Sequence, residues 1–276
     1  MGLTVNTNLA ALNAYRNLST TQSSLSSSLE KLSSGYRINR AADDAAGLAI
    51  SQGLQSQIGG LTQAARNAQD GINVVQTAEG AMTEVHSILQ RLNDLAVQAA
   101  NDSNDTNARA DIQTEADGLT SELTRISSAT KFNGKVLLDG SAGTMNFQVG
   151  ADSSASSTIS VDLSGADVSA SGLAVNALKF DSNTDAQTSL TSIQTAIQTV
   201  STARANLGAS QNRLQHTINS VNVTVENLTA SKSQIQDTDM ASEMVNFTRN
   251  QILSQAGTAM LAQANSMPQS ILKLLG

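Results

Sequence analysis

The chain has 276 residues with no Cys, no Trp, one Pro and 2% aromatic residues, so the large side chains that fill a thick enzyme core are scarce, and disulfide frameworks, thiol catalysis and thiolate metal sites are excluded together. Only 14% of residues are charged and the formal net charge is -7, which argues against nucleic acid, because affinity for phosphates needs clustered Lys and Arg. Ser, Thr, Asn, Gln and Ala fill the deficit, a composition unlike that of a highly charged disordered tail.

The N-terminal stretch MGLTVNTNLAALNAYRNLS carries one cation, Arg16, and no uninterrupted apolar run. A cleavable signal peptide is therefore not expected, and no stretch approaches the ~20 apolar residues of a membrane span, so no membrane insertion is expected either. Apolar residues spaced three and four apart predict an amphipathic helix through Val5, Leu9, Leu12 and Tyr15, resuming at Leu18, Leu25, Leu29 and Leu32. A longer series runs Ile58, Leu61, Ala65, Ala68, Ile72, Val75, Glu79, Met82, Val85, Leu89, Leu92, Ala96 and Ala99. Glu79 is its one polar interruption. Starting near Asp43, this helix would be about 85 Å long, which predicts a rod.

A third helix is read from about Asn107 to Ala129. FNGKVLLDG then places the turn dipeptides Asn133-Gly134 and Asp139-Gly140 around Val136, Leu137 and Leu138, predicting a short strand between tight turns. Short β-prone runs follow between Ser, Gly and Asp, so a small hairpin-rich patch is expected from about 135 to 180. Helical spacing returns from about Asp185 with Ile193, Ile197, Val200, Ala203, Leu207, Leu214, Ile218 and Val221. The last helix carries Leu253, Gly257, Met260, Ala264, Met267, Ile271 and Leu274, with Pro268 as an expected interruption or kink. The fold class is mainly α: an elongated antiparallel helical bundle or coiled coil with a small β-hairpin-rich segment in mid-chain. Met1 to Leu29 carries only Arg16, and Asn250 to Gly276 only Lys273. Such uncharged amphipathic tips need a partner to bury their stripe, so they are expected to order in an assembly.

No catalytic or cofactor constellation stands out. Asp43 and Asp44 point about 100° apart on a helix and read as capping acids. His86 and His216 lack a His or Cys at metal-ligand spacing, and no cofactor or metal is expected. Gly35, Gly47 and Gly53 do not form a phosphate loop.

Two long strings carry a resemblance. NTNLAALNAYRNLS with LEKLSSGYRINRAADDAAGLAIS lies between Asn6 and Ser51, and DTDMASEMVNFTRNQILSQAGTAMLAQANSMPQSILKLLG runs from Asp237 to Gly276. With these strings the chain resembles the bacterial flagellins, in a minimal form without large outer domains. The resemblance implies an exported, extracellular, non-enzymatic subunit that polymerises with itself into the flagellar filament for motility. It implies a terminal coiled-coil domain, residues 1–43 with 233–276, forming the filament core through Val5, Leu9, Leu12, Leu253, Met260, Ala264, Met267, Ile271 and Leu274. Residues 44–232 would form a rod-like helical domain. Implied partners are a flagellar export chaperone, the hook-filament junction and filament cap proteins, and the host Toll-like receptor 5. A hook-filament junction protein is the alternative, disfavoured by the completeness of SSGYRINRAADDAAGLAIS and MPQSILKLLG.

In QRLNDLAVQ, Leu92 and Ala96 continue the core stripe, whereas Ile88, Arg91, Leu95 and Gln98 make a second stripe. That stripe reads either as packing within the bundle or as a surface. The resemblance implies that Gln90, Arg91, Leu95 and Gln98, with Ile112 and Glu115 from the next helix, serve both axial packing and Toll-like receptor 5 recognition.

Overall fold

The computed structural model describes residues 7–275, and their side chains as far as residue 267. Five helices dominate, α1 (Leu9–Ser34), α2 (Ala45–Ala99), α3 (Thr106–Ala129), α4 (Asn183–Gln236) and α5 (Met240–Leu275). The strands form two small antiparallel pairs, β1 (Lys131–Phe132) with β2 (Lys135–Val136), and β3 (Thr144–Gln148) with β4 (Thr158–Asp162). The mainly α class read from periodicity is what the chain adopts. The β segment differs from expectation at both ends. It begins at Lys131, and Leu137 and Leu138 lie beyond β2 as fully buried residues. From Leu163 to Ser182 the chain forms turns and a short 3-10 helix, Ser164–Ala166, without strands.

The chain divides into two compact units, one of residues up to Ser56 with those from Asn227 onward, the other Gln57–Glu226. In the second unit the seam of α2 is a heptad ladder of Val75, Ala78, Met82, Val85, Leu89, Leu92, Ala96 and Ala99, all fully buried. Ala78 occupies the place that the sequence series gave to Glu79. Glu79 lies beside the seam and faces Arg204 of α4 at 3.8 Å, so the polar interruption is an interhelical ion pair rather than a break. Ile112, Ala116 and Leu123 of α3 and Ile193, Ala196, Val200, Leu207 and Leu214 of α4 complete this core.

The strandless segment after Leu163 is held by side chains that imitate a neighbouring strand. The Gln113 amide accepts from Phe180 N–H (3.0 Å) and donates to Leu178 C=O (3.1 Å). Ser189 Oγ accepts from Lys179 N–H and donates to Lys179 C=O, both at 2.9 Å. Backbone groups around the buried Phe180 thus find partners without a sheet. The turns use an Asp-x-Ser device four times: Asp139, Asp152, Asp162 and Asp167 each accept from the backbone N–H and the hydroxyl of the serine two residues on.

Candidate assembly surfaces

In the terminal unit α1 packs on α5. The covered residues of α1 are Ala11, Ala14, Leu18, Thr21, Leu25, Ser28 and Leu32, at strict three-four spacing, and those of α5 are Asn246, Phe247, Asn250, Ser254, Gly257, Leu261 and Ala264. This seam is rich in small and polar residues. A Cβ on Gly257 would lie 3.1 Å from Leu18 Cδ1, so the glycine sets how closely the helices approach.

A second set of large apolar residues points the other way. Leu9 is 61% exposed, Tyr15 65%, Leu253 49% and Met260 64%, and Leu12, Leu29, Met244, Val245, Ile252 and Met267 are also exposed. This corrects the sequence expectation that Leu9, Leu12, Tyr15 and Leu29 share one buried stripe with Leu18, Leu25 and Leu32. The helix carries two stripes, and only the second is covered within the chain. Of the expected core-packing residues, Ala264 is buried against α1, Val5 lies outside the described residues, and the side chains of Ile271 and Leu274 lie outside them as well. An apolar groove of about 420 Å³ runs between the helices past Ala10, Asn17, Leu18, Leu253 and Met260.

Pro268 does not end α5, which continues to Leu275. Proline has no N–H for the carbonyl four residues back, and that carbonyl, of Ala264, accepts from Asn8 Nδ2 at 2.7 Å. The other end of the same amide caps α1, with Asn8 Oδ1 accepting from Ala11 N–H at 3.0 Å. One side chain therefore closes the start of α1 onto the break in the α5 ladder. Periodicity missed this contact, although a proline four residues after a seam alanine is a usable signal.

The SSGYRIN motif forms a second closure. Gly35, in the left-handed conformation at φ 76°, ends α1. Arg37 N–H then donates to Gln236 C=O (2.7 Å), Thr238 N–H to Gly35 C=O (2.9 Å), and the Arg37 guanidinium to Ile235 C=O (2.6 Å), with Ile38 buried beside them. Asp43 Oδ2 accepts from Asn39 and Arg40 N–H, and these bonds, that from Arg40 first, hold its carboxyl below the ordinary range. Asp44 Oδ1 accepts from Gly47 N–H at 2.8 Å. Both acids are capping and turn groups.

On the second unit the six residues singled out in α2 and α3 separate into two layers. Arg91 and Glu115 form an exposed ion pair, with Nε–Oε1 2.8 Å, and Gln90 and Gln98 are exposed. Leu95 is only 2% exposed and Ile112 only 6%, both inside the core. Of the two readings of the second stripe, Leu95 takes the packing one, while Arg91 and Gln98 on the same stripe stay at the surface. Among the described residues no helix is long and apolar enough to cross a membrane, and no group of three or more His, Cys, Asp or Glu could hold a metal ion.

Helices paired through a seam rich in small and polar residues, with a further row of large apolar residues left exposed, are those of a structural, assembly-forming subunit. Comparison with known proteins gives that class its family. Residues 5–143 match the bacterial flagellin N-terminal helical region and residues 190–275 the bacterial flagellin C-terminal helical region. The chain is 49% identical over 271 residues to a flagellin of Halalkalibacterium halodurans, covering 98% of this chain and 99% of that one. It is 48% identical over 302 residues to a flagellin of Bacillus subtilis, with the same coverage. Among solved structures it is similar to the crystal structure of Bacillus cereus flagellin, with TM-score 0.50 and 31% identity over 56% of this chain and 88% of that chain. The chain belongs to the bacterial flagellins, without large outer domains: a structural protein of the extracellular flagellar filament, which serves motility.

Proposed function

We propose that the outward faces of α1 and α5 are the surfaces that copies of this chain bury on polymerising. The observation that carries this is the second apolar row of the terminal pair, with Leu9, Leu12, Leu253, Met260 and Met267 exposed outside a seam rich in small and polar residues. Exposed apolar rows of this length are the mark of an interaction surface. A head-to-tail contact that does not close gives a helical filament. In this reading residues 1–43 with 233–276 form the filament core, extended by Val5, Ile271 and Leu274, and Ala264 acts by holding the pair together. Residues 44–232 form the second domain. An export chaperone covers the apolar face before assembly, and the junction and cap proteins meet the same terminal helices. The exposed Gln90, Arg91, Gln98 and Glu115 serve axial packing and Toll-like receptor 5 recognition, with Leu95 and Ile112 as the buried support that fixes their helices.

The test is Leu253→Asp. Leu253 is 49% exposed, so the monomer should keep its helical circular dichroism. Burying an unpaired carboxylate between copies costs several kcal/mol per subunit, so seeded polymerisation followed by negative-stain microscopy should yield no filaments. Normal filaments from this variant would refute the assignment of the surface.

A further inference from the structure

Outside the assembly surfaces, the β1–β2 hairpin holds a place where the backbone can react with a side chain. Asn133-Gly134 is the two-residue loop of the β1–β2 hairpin, between the paired Phe132 and Lys135. Both residues have positive φ, 48° at Asn133 and 81° at Gly134, as a type I′ turn demands. Both are exposed. Among the described residues nothing hydrogen-bonds to the Asn133 side chain, no backbone carbonyl takes the Gly134 N–H, and nothing lies within 4 Å of the position a Gly134 Cβ would occupy. An unhindered backbone nitrogen thus follows an uncommitted side-chain amide.

The Asp-Gly and Asn-Ser dipeptides elsewhere are blocked. Asp70-Gly71 and Asp117-Gly118 lie inside α2 and α3, and Asn219-Ser220 and Asn265-Ser266 inside α4 and α5, where the helix ladder engages the attacking nitrogen. Asp139-Gly140 is in a turn, but Asp139 Oδ1 accepts from Ser141 N–H and Oγ, and those bonds, the hydroxyl first, hold its carboxyl below the ordinary range. A carboxylate so held is a poor electrophile.

We propose that Asn133 is a self-modification site, converting without an enzyme to aspartate and isoaspartate. The Gly134 nitrogen gives up its proton and forms a bond to Asn133 Cγ. The bond from Cγ to the side-chain NH2 breaks, and that group leaves as ammonia with the proton, closing a five-membered succinimide. Water then opens the ring. Breaking the new N–Cγ bond leaves aspartate in an ordinary backbone, and breaking the original peptide C–N bond leaves the chain running through Cγ as isoaspartate. The sum is asparagine plus water giving acid plus ammonia, with no oxidant, reductant or cofactor. Either product adds a negative charge to a chain of formal net charge -7. The isoaspartate form also lengthens the main chain by one carbon, which a two-residue loop in the Phe132↔Lys135 register cannot absorb. The hairpin just before the buried Leu137 and Leu138 should then loosen with time, a change that accumulates in any subunit that persists outside the cell.

The full chain, incubated folded at mildly alkaline pH and followed by peptide mapping with mass spectrometry, should show the Asn133 peptide gaining about one dalton and splitting into two chromatographic forms. Conversion at Asn133 should outpace that at every other asparagine, and Asn133→Gln should remove both forms. A parallel incubation in denaturant separates sequence from structure. An Asn133 peptide that stays intact in the folded chain while converting in the denatured one would overturn the proposal, since the turn would then protect the site. Equal conversion at the helical asparagines would overturn it as well.

Discussion

The bond from Asn8 to the Ala264 carbonyl can be isolated by a double-mutant cycle, because each partner can be changed without removing the helix it belongs to. Asn8→Asp keeps the oxygen that caps α1 and loses the Nδ2 donor, which bonds Ala264 C=O at 2.7 Å. A hydrogen bond of this kind contributes about 1 kcal/mol net, which corresponds to roughly fivefold faster amide exchange in the first turns of α1, given that about 1.4 kcal/mol is tenfold. Asn8→Ala loses the cap as well, worth another ~1 kcal/mol, and should raise exchange roughly thirtyfold on the same scale. The carboxylate of Asn8→Asp also gains from the helix dipole, so the single substitution does not measure the bond alone. Pro268→Ala supplies the comparison. It returns an N–H to the Ala264 carbonyl from within α5, so Asn8→Asp should cost about 1 kcal/mol less in that background, a coupling readable in the cycle. Hydrogen exchange on dilute monomer, resolved over residues 11–18, is the assay. Equal effects of Asn8→Asp with and without Pro268→Ala would refute the idea that the proline exists to free this carbonyl.

Arg91→Ala removes an exposed ion pair and should cost no more than about 1 kcal/mol, whereas Leu95→Ala empties a buried site and should cost about 2–5 kcal/mol. Thermal unfolding should rank them so. Receptor signalling by the Arg91→Ala monomer should fall with the fold intact, and undiminished signalling would sink the proposed recognition face. Asp139, Asp152 and Asp162 have carboxyls lowered chiefly by hydroxyls, of Ser141, Ser157 and Ser164 respectively. Their folded values lie below the unfolded ~3.9, so the stabilisation is full above that pH and is lost as pH falls through the folded values. Amide protection in the 139–169 turns should therefore hold down to about pH 4 and drop below it, and a loss of protection between neutral pH and about pH 5 would contradict the assignment.

The helices were legible because their burial follows a fixed three-four spacing, and α2, α3 and α4 start within two residues of the positions read from it. Periodicity could not say which of two stripes the chain itself covers. In α1, Leu9, Leu12 and Tyr15 have the stronger apolar signal, yet the seam with α5 falls on Ala11, Ala14, Leu18 and Thr21, because the facing helix offers small and polar residues there. The same ambiguity left Leu95, an apolar residue off the main stripe, open between bundle packing and surface, and its burial decides for packing. Side-chain closures such as Gln113 with Leu178 and Phe180 join residues 65 or more positions apart, and no local pattern encodes that separation.

Charge and apolar exposure are divided between the two units in a way that suits a subunit which must first stay apart and then pack. Of 23 acidic residues 17 lie between Gln57 and Glu226, against 9 of the 16 basic ones, giving -8 there and +1 on the remainder. The unit with outward Leu9, Leu253 and Met260 is therefore nearly neutral, and little repulsion opposes burial of those side chains against another copy. The other unit repels its own kind at long range, and salt screens that repulsion over about 8 Å at physiological ionic strength. Polymerisation should thus be favoured by the terminal helices and restrained by the acidic unit. Raising salt weakens the restraint without weakening the apolar contact. Replacing exposed acids such as Glu84 or Asp94 by their amides should lower the concentration at which filaments form at low salt, and have little effect at high salt. An equal effect at both would show that those residues act by direct contact instead of through the field of the unit.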